Sequence, residues 1–358
     1  MSRYLIVDVG AGTMDVLVYD DAAGLHYKAV ARSPVPYLAE KAAQIPGNLL
    51  VTGCEMGGGP VSQVLVRRAG SAEVVMTRSA AFTIHHNPEK VLAQGIRIIE
   101  DGEAAGFAGA PGFTALEIGD LEADRLERII DGLGVPFDFD VVGVCAQDHG
   151  MPPAGVSHLD FRHNLFKSAL DETPYPHALL YSREEVPSTF NRLRCLAESA
   201  ARLPAREVYV MDSGMAAILG ASMDFQAKGK ERIIVLDIAT SHTVGAALEN
   251  GELAGFFEYH TRDVTLERLE ELLQGLGNGT LEHHRIMEEG GHGAYIRKAF
   301  GFAAAEIILA TGPKRGLVER SRLPIVPGAP LGDNMMTGTV GILEAVRRRK
   351  HLEPLVHL

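Results

Sequence analysis

The sequence predicts an α/β protein made of two related halves, because one strand–turn–strand pattern occurs twice in its 358 residues. In the first copy, Leu5 to Asp20, an apolar run ends at Asp8, the chain turns through Gly10 and Gly12, and a second apolar run follows. Apolar runs on either side of a glycine turn are typical of a tight β-hairpin. A third strand is predicted at His26 to Val30, after a short turn.

The second copy begins 229 positions later, where Ile234 to Ala247 matches Leu5 to Val18 and Asp237 takes the place of Asp8. A short turn and another strand, predicted at Leu253 to Phe257, follow it as they follow the first copy. Two matching three-stranded units predict that the chain contains two halves related by duplication.

The first hairpin turn has the composition of a phosphate-binding loop. Glycine lets the backbone approach an anion, the turn amides and the Thr13 hydroxyl supply donors, and Asp8 is suited to hold a magnesium ion through water. A single hairpin of this kind is more simply explained as structural. A nucleotide clamped between two halves needs one such turn from each side, however, so the repeat predicts that Asp8 and Asp237 face the same nucleotide.

The motifs and their order resemble the actin, sugar-kinase and heat-shock-chaperone ATPase superfamily. The matching stretches are the two phosphate motifs, Asp8 to Asp15 and Asp237 to Val244, a first connecting helix at Asp212 to Asp224, an adenosine motif at Glu306 to Lys314, and a second connecting helix at Gly338 to Ala345. The resemblance implies two ribonuclease H-like (actin-like ATPase) domains, residues 1–227 and 228–358, with ATP in a cleft between them. The second domain would include the adenosine motif and the C-terminal connecting helix.

The resemblance also implies which residues serve the site. Asp8 and Asp237 would hold Mg²⁺ through water, and the catalytic carboxylates would be Asp8, Asp237 and Asp148. The nucleotide would be bound by Gly10, Ala11, Gly12, Thr13, Thr240, Ser241, Thr243, Gly312 and Lys314.

A central strand is predicted at Phe139 to Ala146, and polar residues follow it. Ligands bind at the carboxyl edge of open α/β sheets, which is where Gln147, Asp148 and His149 would lie. Asp148 is either a general base or magnesium-water ligand, or the cap of a turn. His149 is either a proton carrier or phosphate partner, or a packed side chain.

The stretch after this strand is predicted to bind the substrate. Residues 152–164 have no strong periodicity, which indicates a binding loop. The predicted substrate contacts are Gln147, His149, His158 and Arg162. A metal site assembled from His149, His158, Asp160 and His163 is left open, because their spacing is irregular.

The sequence also predicts the local structure of three other stretches. Residues 101–119, rich in Gly and Ala, are predicted to form a surface loop, and Ala294 to Phe302 a helix. Gly53 to Pro60 joins a predicted strand to a predicted helix, and it is either an anion-binding loop or a tight crossover that needs small residues.

Composition narrows the class of protein. A net charge of −12, from 34 basic and 46 acidic residues, argues against a broad nucleic-acid surface. No stretch of about 18 apolar residues occurs and no secretory leader precedes the first strand, so we expect a cytoplasmic protein without a membrane partner. A homodimer is left open.

The three cysteines, Cys54, Cys145 and Cys195, are far apart in sequence. A radical-SAM iron–sulfur cluster needs three closely placed thiolates, so one chain is not expected to build one. A cluster shared between subunits stays open, but buried thiols in apolar surroundings are the simpler expectation.

Within the superfamily, the chain most resembles a prokaryotic family labelled as pyruvate formate-lyase activating. The stretches that indicate it are Met56 to Pro60, Gln147 to Gly150 and Gly332 to Thr339. The label conflicts with the cysteine pattern, because a glycyl-radical activator cleaves S-adenosylmethionine at an iron–sulfur cluster.

The resemblance therefore implies a phosphotransferase acting on a small molecule, or an ATPase that drives a partner enzyme. Ala239 and Ser241 replace the glycines of the first hairpin, and Asp212 lies one place before the chaperones' water-orienting glutamate. Both departures favour the alternative of a nucleotide or ligand sensor without turnover. An accessory activator of a glycyl-radical enzyme, without its own cluster, is a further alternative.

Overall fold

The computed structural model describes residues 2–107, 109–153 and 155–355. Its strands are β1 Arg3–Val9, β2 Thr13–Asp20, β3 Leu25–Arg32, β4 Asn48–Gly53, β5 Val74–Thr77, β6 Arg97–Ile99, β7 Phe113–Ile118, β8 Phe139–Ala146, β9 Leu180–Ser182, β10 Ala205–Asp212, β11 Arg232–Ile238, β12 His242–Glu249, β13 Glu252–His260, β14 Gly293–Ile296, β15 Ile307–Thr311 and β16 Ile325–Pro327. Its α-helices are α1 Pro34–Gln44, α2 Pro60–Ala69, α3 Arg78–Ala81, α4 Pro88–Leu92, α5 Ala104–Phe107, α6 Ala123–Gly132, α7 His158–Glu172, α8 Asn191–Ala200, α9 Ser213–Ser222, α10 Leu266–Asn278, α11 His283–Glu288 and α12 Thr337–Arg349. None of these helices is long and apolar enough to cross a membrane.

Two sheets repeat the same five-stranded core. The first has the order β3-β2-β1-β8-β10, with β9 added at its edge, and the second has the order β13-β12-β11-β15-β16, with β14 added at the opposite edge. In each sheet the hairpin strands are antiparallel, whereas the next two strands run parallel to the first. This is the ribonuclease H-like arrangement, and its repetition confirms the predicted duplication.

Apolar side chains explain why these strands form central ladders. Leu5, Ile6 and Val7 of β1 are fully buried, as are Ile234 and Val235 of β11. Strands buried on both faces read as continuous apolar runs, and packed helices cover them. Both hairpins that carry the predicted phosphate motifs are therefore anchored in the cores of their sheets.

A third sheet is inserted between β3 and β8. It has four parallel strands in the order β6-β5-β4-β7 and a core of its own with α1, α2 and α4. The predicted surface loop at residues 101–119 is wrong at its end, where β7 pairs with β4 from Phe113 to Ile118. Leu116 and Ile118 of β7 are buried on the face toward the core, and this burial stabilises the strand. The Gly-rich composition of the segment did not predict it.

Each connecting helix packs on the sheet of the other half of the chain. The first, α9, follows β10 of the first sheet but packs on β11 of the second, whereas α12 comes after the second sheet and packs on β1 and β8 of the first. The helices cross at glycines. A Cβ at Gly220 would lie 1.8 Å from Thr337 O, and one at Gly341 would lie 1.7 Å from Ala216 O. Only glycine allows this backbone-to-backbone approach.

Two further predicted elements are wrong. Residues 152–164 are not one loop, because Ser157 accepts a hydrogen bond from Asp160 N and α7 begins at His158. Residues 294–302 are not a helix, because Gly293–Ile296 pairs with β13 as the edge strand β14. In both places a local feature, a serine cap or a free sheet edge, decides the structure over weak periodicity.

We expect Gly341→Ala to lower the free energy of unfolding by about 1–3 kcal/mol or more, because the added methyl group overlaps the Ala216 carbonyl. Gly132→Ala is the matched control, since Gly132 is an exposed helical glycine with no atom near the added Cβ. The control should be neutral or stabilising by about 0.4–1 kcal/mol. Chemical denaturation measures both changes. Equal effects of the two substitutions would contradict the tight crossing of α9 and α12.

Candidate functional site

A cleft of about 450 Å³ lies between the two repeated sheets. Both hairpin turns reach it, together with the end of β8, the glycine loop before α2, the turn after β15 and the start of α12. The predicted site residues that line it are Asp8, Gly10, Ala11, Thr13, Gln147, Asp148, His149, Asp237, Thr240, Ser241 and Gly312. Asp8 and Asp237 therefore face one cleft.

The two hairpin turns are built by the same contacts. Ser33 Oγ donates to Gly10 O at 2.7 Å in the first turn, and Thr261 Oγ1 donates to Ala239 O at 2.8 Å in the second. Both hydroxyl groups come from the residue that follows the third strand of their sheet. The duplication therefore extends from the sheets to the support of each turn.

Each turn leaves backbone amides available to a ligand. In the described part of the chain, the amides of Ala11 and Gly12, and those of Thr240 and Ser241, donate to no acceptor. The turns also touch, since a Cβ at Gly12 would lie 3.0 Å from Thr240 Cγ2. Successive unpaired amides in a turn are the kind of donor that binds phosphate.

Carboxylates from both sheets gather beside these amides. Burial, reinforced by the neighbouring Asp237, raises the pKa of Asp8 to about 7. Burial also raises the pKa of Asp237 to about 6, although Thr311 Oγ1 donates to it at 2.8 Å. Carboxylates whose pKa rises through desolvation are stabilised by any cation that enters.

Asp15 belongs to this group and was missed in the sequence. It lies directly opposite Asp8 in the β1–β2 ladder, where paired side chains share one face of the sheet. It is 7% exposed, its Oδ1 has no hydrogen-bond partner, and burial with Asp8 nearby raises its pKa to about 8. The hairpin register alone would have placed Asp15 beside Asp8.

The first turn of α12 rests on Asp8. A Cβ at Gly338 would lie only 1.9 Å from Asp8 Oδ2, so this glycine is required for the contact. The helix that fixes the two sheets relative to each other therefore begins against the predicted magnesium ligand.

The turn after β15 closes the far side of the cleft. Gly312 has a φ of +87°, and Asn334 Nδ2 donates to its carbonyl oxygen at 2.9 Å. Both residues line the cleft, whereas Lys314 is exposed and is not among the described lining residues. The backbone amide of Lys314 donates to Ile238 O at 3.0 Å, so its main chain fixes the turn.

Asp148 shows the capping role that the sequence left open. Its Oδ1 accepts from Gly150 N at 2.7 Å and its Oδ2 accepts from Leu193 N at 2.9 Å. Burial raises its pKa to about 6 even with these bonds. Because both oxygens are engaged, Asp148 holds the end of β8 against the first turn of α8.

The glycine loop before α2 lines the cleft beside Asp148, and a buried ion pair fixes it. Arg192 Nε donates to Asp120 Oδ2 at 2.7 Å, and Gly57 N donates to Asp120 Oδ1 at 3.1 Å. Arg192 also donates to Gln147 O at 2.7 Å. Sequence reasoning found the loop but neither charged residue, because they come from segments distant in the chain.

Arg162 was predicted to contact the substrate, but it is not among the described residues that line the cleft. Its guanidinium donates to Asp212 Oδ2 at 2.9 Å and to Glu258 Oε2 at 2.6 Å, and all three residues are buried. Burial opposes ionisation of Glu258, yet the charge of Arg162 lowers the pKa of that carboxyl well below its usual range. Since Glu258 lies on β13 and Asp212 ends β10, Arg162 is an ion-pair bridge between the two sheets.

Thr243 is also placed away from the cleft. It is fully buried, and its Oγ1 lies 3.0 Å from Thr261 Oγ1. Thr240 and Ser241 are in the turn itself and line the cleft, whereas Thr243 lies inside β12 and faces the interior. The Thr243 hydroxyl therefore contacts Thr261 within the sheet, and its phosphate contact stays a prediction.

The sequence left open a metal site made of His149, His158, Asp160 and His163. The structure places these four residues in three separate locations. His149 lies with His242 and His292, His158 packs against the ring of His86 at 5.6 Å, and His163 stacks on His283 at 3.6 Å. Asp160 accepts from His283 Nε2 at 3.2 Å. Asp160 and His163 lie three positions apart on α7 and both contact His283, whereas His158 at the start of the helix contacts His86.

The histidines beside the cleft are largely desolvated. Burial, with Arg162 nearby, lowers the pKa of His149 to about 3, and burial lowers the pKa of His242 to about 4. Both imidazoles are therefore neutral at pH 7.

The cysteines do not converge. Cys54 and Cys195 interact with each other, whereas Cys145 is buried beneath Asp8. Among the described residues, the group with metal-ligand geometry contains histidines and no cysteine.

We expect Asp15→Asn to stabilise the ligand-free protein at pH 8 but not at pH 4. In the wild type, the folded state retains the Asp15 proton between the unfolded pKa of about 3.9 and the folded pKa of about 8, so stability falls as pH rises through this window. The substitution removes that loss, which should exceed about 1 kcal/mol because one pKa unit corresponds to about 1.4 kcal/mol.

Thermal unfolding at the two pH values measures this difference, and the exposed Asp124→Asn is the control for removing one acidic group. A gain of the same size at both pH values, or a loss at pH 8, would contradict the burial of Asp15 beside Asp8.

Several solved structures are similar to the chain. The ethanolamine utilization protein EutJ from Carboxydothermus hydrogenoformans is 11% identical, with 95% of this chain and 88% of that chain covered and a TM-score of 0.35. A ROK hexokinase from Thermus thermophilus is 13% identical, with 98% and 99% covered and a TM-score of 0.32. A ROK family glucokinase from Streptomyces griseus, in complex with glucose and AMPPNP, is 10% identical, with 95% and 97% covered and a TM-score of 0.37.

No curated protein matches the sequence. The model of a protein family described as "Putative pyruvate format-lyase activating enzyme (DUF1786)" matches residues 56–317, which is well over half of the chain. The matched region includes the end of β8, the second hairpin and the turn after β15. The chain therefore belongs to this family.

Proposed function

We propose that this protein binds Mg-ATP in the cleft between the two sheets and transfers the γ-phosphoryl group to a small acceptor. The observation that carries the proposal is the meeting of two equivalent hairpin turns, which touch at Gly12 and Thr240 and each bring one carboxylate, Asp8 or Asp237. One triphosphate can contact both turns only where they face the same space.

The residues beside the turns fit a hard cation. Asp8, Asp15 and Asp237 offer carboxylate oxygens, which Mg²⁺ prefers, and Asp15 Oδ1 is buried without a partner. Mg²⁺, when bound, neutralises charge on the β- and γ-phosphates. Asp8 and Asp237 would hold the ion through its waters.

The protein groups then have distinct tasks. The amides of Ala11, Gly12, Thr240 and Ser241 would donate to phosphate oxygens, where fixed donors stabilise developing negative charge. The turn at Gly312, held by Asn334, would accept the adenosine.

A carboxylate of the first hairpin is the better base. With both oxygens of Asp148 engaged by backbone amides, Asp8 is the carboxylate at the turns that remains to take the proton of an acceptor hydroxyl.

The shape of the cleft favours transfer to an acceptor over simple hydrolysis. Beyond the turns it continues past Gly57, Gly58 and Gly59 to Glu55 and Arg192. This additional space is lined by polar and small groups, as an acceptor site would be.

A second candidate is an ATPase that activates a partner enzyme. The family description favours it, because it names an activating enzyme. The cysteines of this chain offer no three-thiolate set, so an activator role would depend on nucleotide-driven motion of the two sheets, not on a cluster of its own.

We expect Mg²⁺-dependent ATP turnover that a small hydroxyl-bearing acceptor stimulates. Asp8→Asn and Asp237→Asn should each lower turnover by about 10²-fold or more, because each removes a carboxylate that would hold Mg²⁺ on the phosphates. Asp124→Asn, on the exposed face of α6, should not change it. Coupled ADP-release assays over a panel of sugars, polyols and carboxylic acids measure this.

The outcomes separate the candidates. Turnover that no acceptor stimulates, but that both variants abolish, would favour the activator ATPase. Nucleotide binding without turnover would indicate a sensor. The proposal would be contradicted if both variants kept wild-type turnover, or if the wild type did not bind Mg-ATP.

A further inference from the structure

Three histidines from distant parts of the chain meet beside the cleft, outside the set of groups assigned to ATP. His149 follows β8, His242 opens β12 and His292 immediately precedes β14. One ring nitrogen from each lies within 4.8 Å of the other two. The ring centroids of His242 and His292 are 4.9 Å apart, and that of His149 lies 6.3 and 6.1 Å from them.

One of these rings presents a buried nitrogen that has no hydrogen-bond partner. His242 Nδ1 lies 2.8 Å from Ser241 Oγ, whereas its Nε2 is buried and unpaired. His292 is 8% exposed, and its Nδ1 faces Glu258 Oε1 at 3.4 Å, so Nε2 is the nitrogen that this ring offers to an ion. An unpaired polar atom inside a protein is costly, so His242 Nε2 points to a ligand that completes it.

The surroundings of the histidines orient them as a metal centre would require. When Nδ1–H of His242 donates to Ser241 Oγ, Nε2 carries the lone pair that an ion can bind. His292 Nδ1 lies 3.4 Å from Glu258 Oε1, which places a carboxylate behind this imidazole. Carboxylates and hydroxyl groups behind ligating imidazoles fix their tautomers and orientation.

The local charge also favours a cation. Arg162 carries one positive charge between the carboxylates of Asp212 and Glu258, and Gln147 Nε2 donates to Glu258 as well. These two carboxylates and one guanidinium carry one more negative than positive charge, and Glu258 is the member that lies against His292. A carboxylate in a buried setting attracts a positive ion.

We propose that His149, His242 and His292 form a site for a divalent transition metal ion such as Zn²⁺, with one coordination position open to the cleft. Imidazole nitrogens suit Zn²⁺ and its neighbours in the first transition row, whereas Mg²⁺ prefers oxygen. Three protein ligands and an open position are characteristic of catalytic zinc sites. Zn–N bonds of about 2.0–2.1 Å require the three nitrogens to move closer together on binding.

The open position indicates what the ion would bind. His149 and His242 line the cleft together with Glu258 and His260, next to the turn that carries Thr240 and Ser241. An ion at this place would coordinate an oxygen of an anionic or hydroxyl-bearing molecule in the cleft. The site uses none of the carboxylates assigned to magnesium, so its test is independent of the ATP proposal.

The test is metal binding by the full-length, untagged and metal-free protein. Calorimetric titration with Zn²⁺ should give one ion per chain for the wild type, and Co²⁺ should give the visible absorption of tetrahedral nitrogen coordination. His242→Asn and His292→Asn should each weaken Zn²⁺ binding by about 100-fold or more, since loss of even an outer-shell partner costs 10–100-fold. His284→Asn is the matched control, because its side chain is 86% exposed on α11.

Thermal unfolding supplies a second readout, because an ion that binds only the folded protein raises its melting temperature. Zn²⁺ should raise the melting temperature of the wild type and of His284→Asn, but not of His242→Asn or His292→Asn. If His292→Asn does not fold, His149→Asn, at the surface of the cleft, replaces it. Asp8→Asn should bind Zn²⁺ as the wild type does, which separates this site from the magnesium site.

The proposal is overturned if the wild type binds Zn²⁺ no more tightly than the histidine variants, or if Co²⁺ gives no tetrahedral spectrum. Binding that Asp8→Asn abolishes and His242→Asn preserves would also overturn it, since the ion would then occupy the carboxylate cluster.

Discussion

The close crossing of α9 and α12 is the constraint on which the arrangement of the site depends. Each helix leaves one sheet and packs on the other, and at Gly220 and Gly341 their backbones are too close for any side chain. This crossing fixes how the two sheets face each other. It also places Gly338 on the carboxylate of Asp8, so the same helix sets the domain geometry and one wall of the cleft.

Buried charge is the second organising feature. Asp8, Asp15 and Asp237 line the same cleft, and burial raises the pKa of each. Beside them, Arg162 compensates Asp212 and Glu258 and joins α7, β10 and β13 through one guanidinium. Uncompensated buried carboxylates oppose folding, and a bound cation would relieve this cost. The carboxylate cluster and the ion-pair bridge therefore differ in kind, since only the bridge already contains its counter-charge.

The fold and its two hairpin turns could be predicted from the sequence because their signals are local. Apolar runs around a glycine turn specify a hairpin, and a match 229 positions later specifies a duplicate. Asp15 was also within reach, through its pairing with Asp8. The positions of Arg162 and Thr243 away from the cleft surface could not be predicted, because the direction of a side chain depends on the element that carries it.

The histidine group could not be predicted, because His149, His242 and His292 are brought together only by the packing of the two sheets. The grouping considered from sequence combined neighbours along the chain, and α7 then directed them to different surroundings. The same reason explains Arg192 and Asp120, whose pairing supports the glycine loop from separate segments. Local patterns predict elements and turns, whereas charged partners across elements require coordinates.

The most direct test is a crystal structure of the protein with Mg²⁺ and a non-hydrolysable ATP analogue. The account predicts phosphates between the turns at residues 10–13 and 239–242, metal-bound waters on Asp8 and Asp237, and the adenosine beside Gly312. A nucleotide bound elsewhere, or a triphosphate that contacts the turn of one sheet alone, would contradict it.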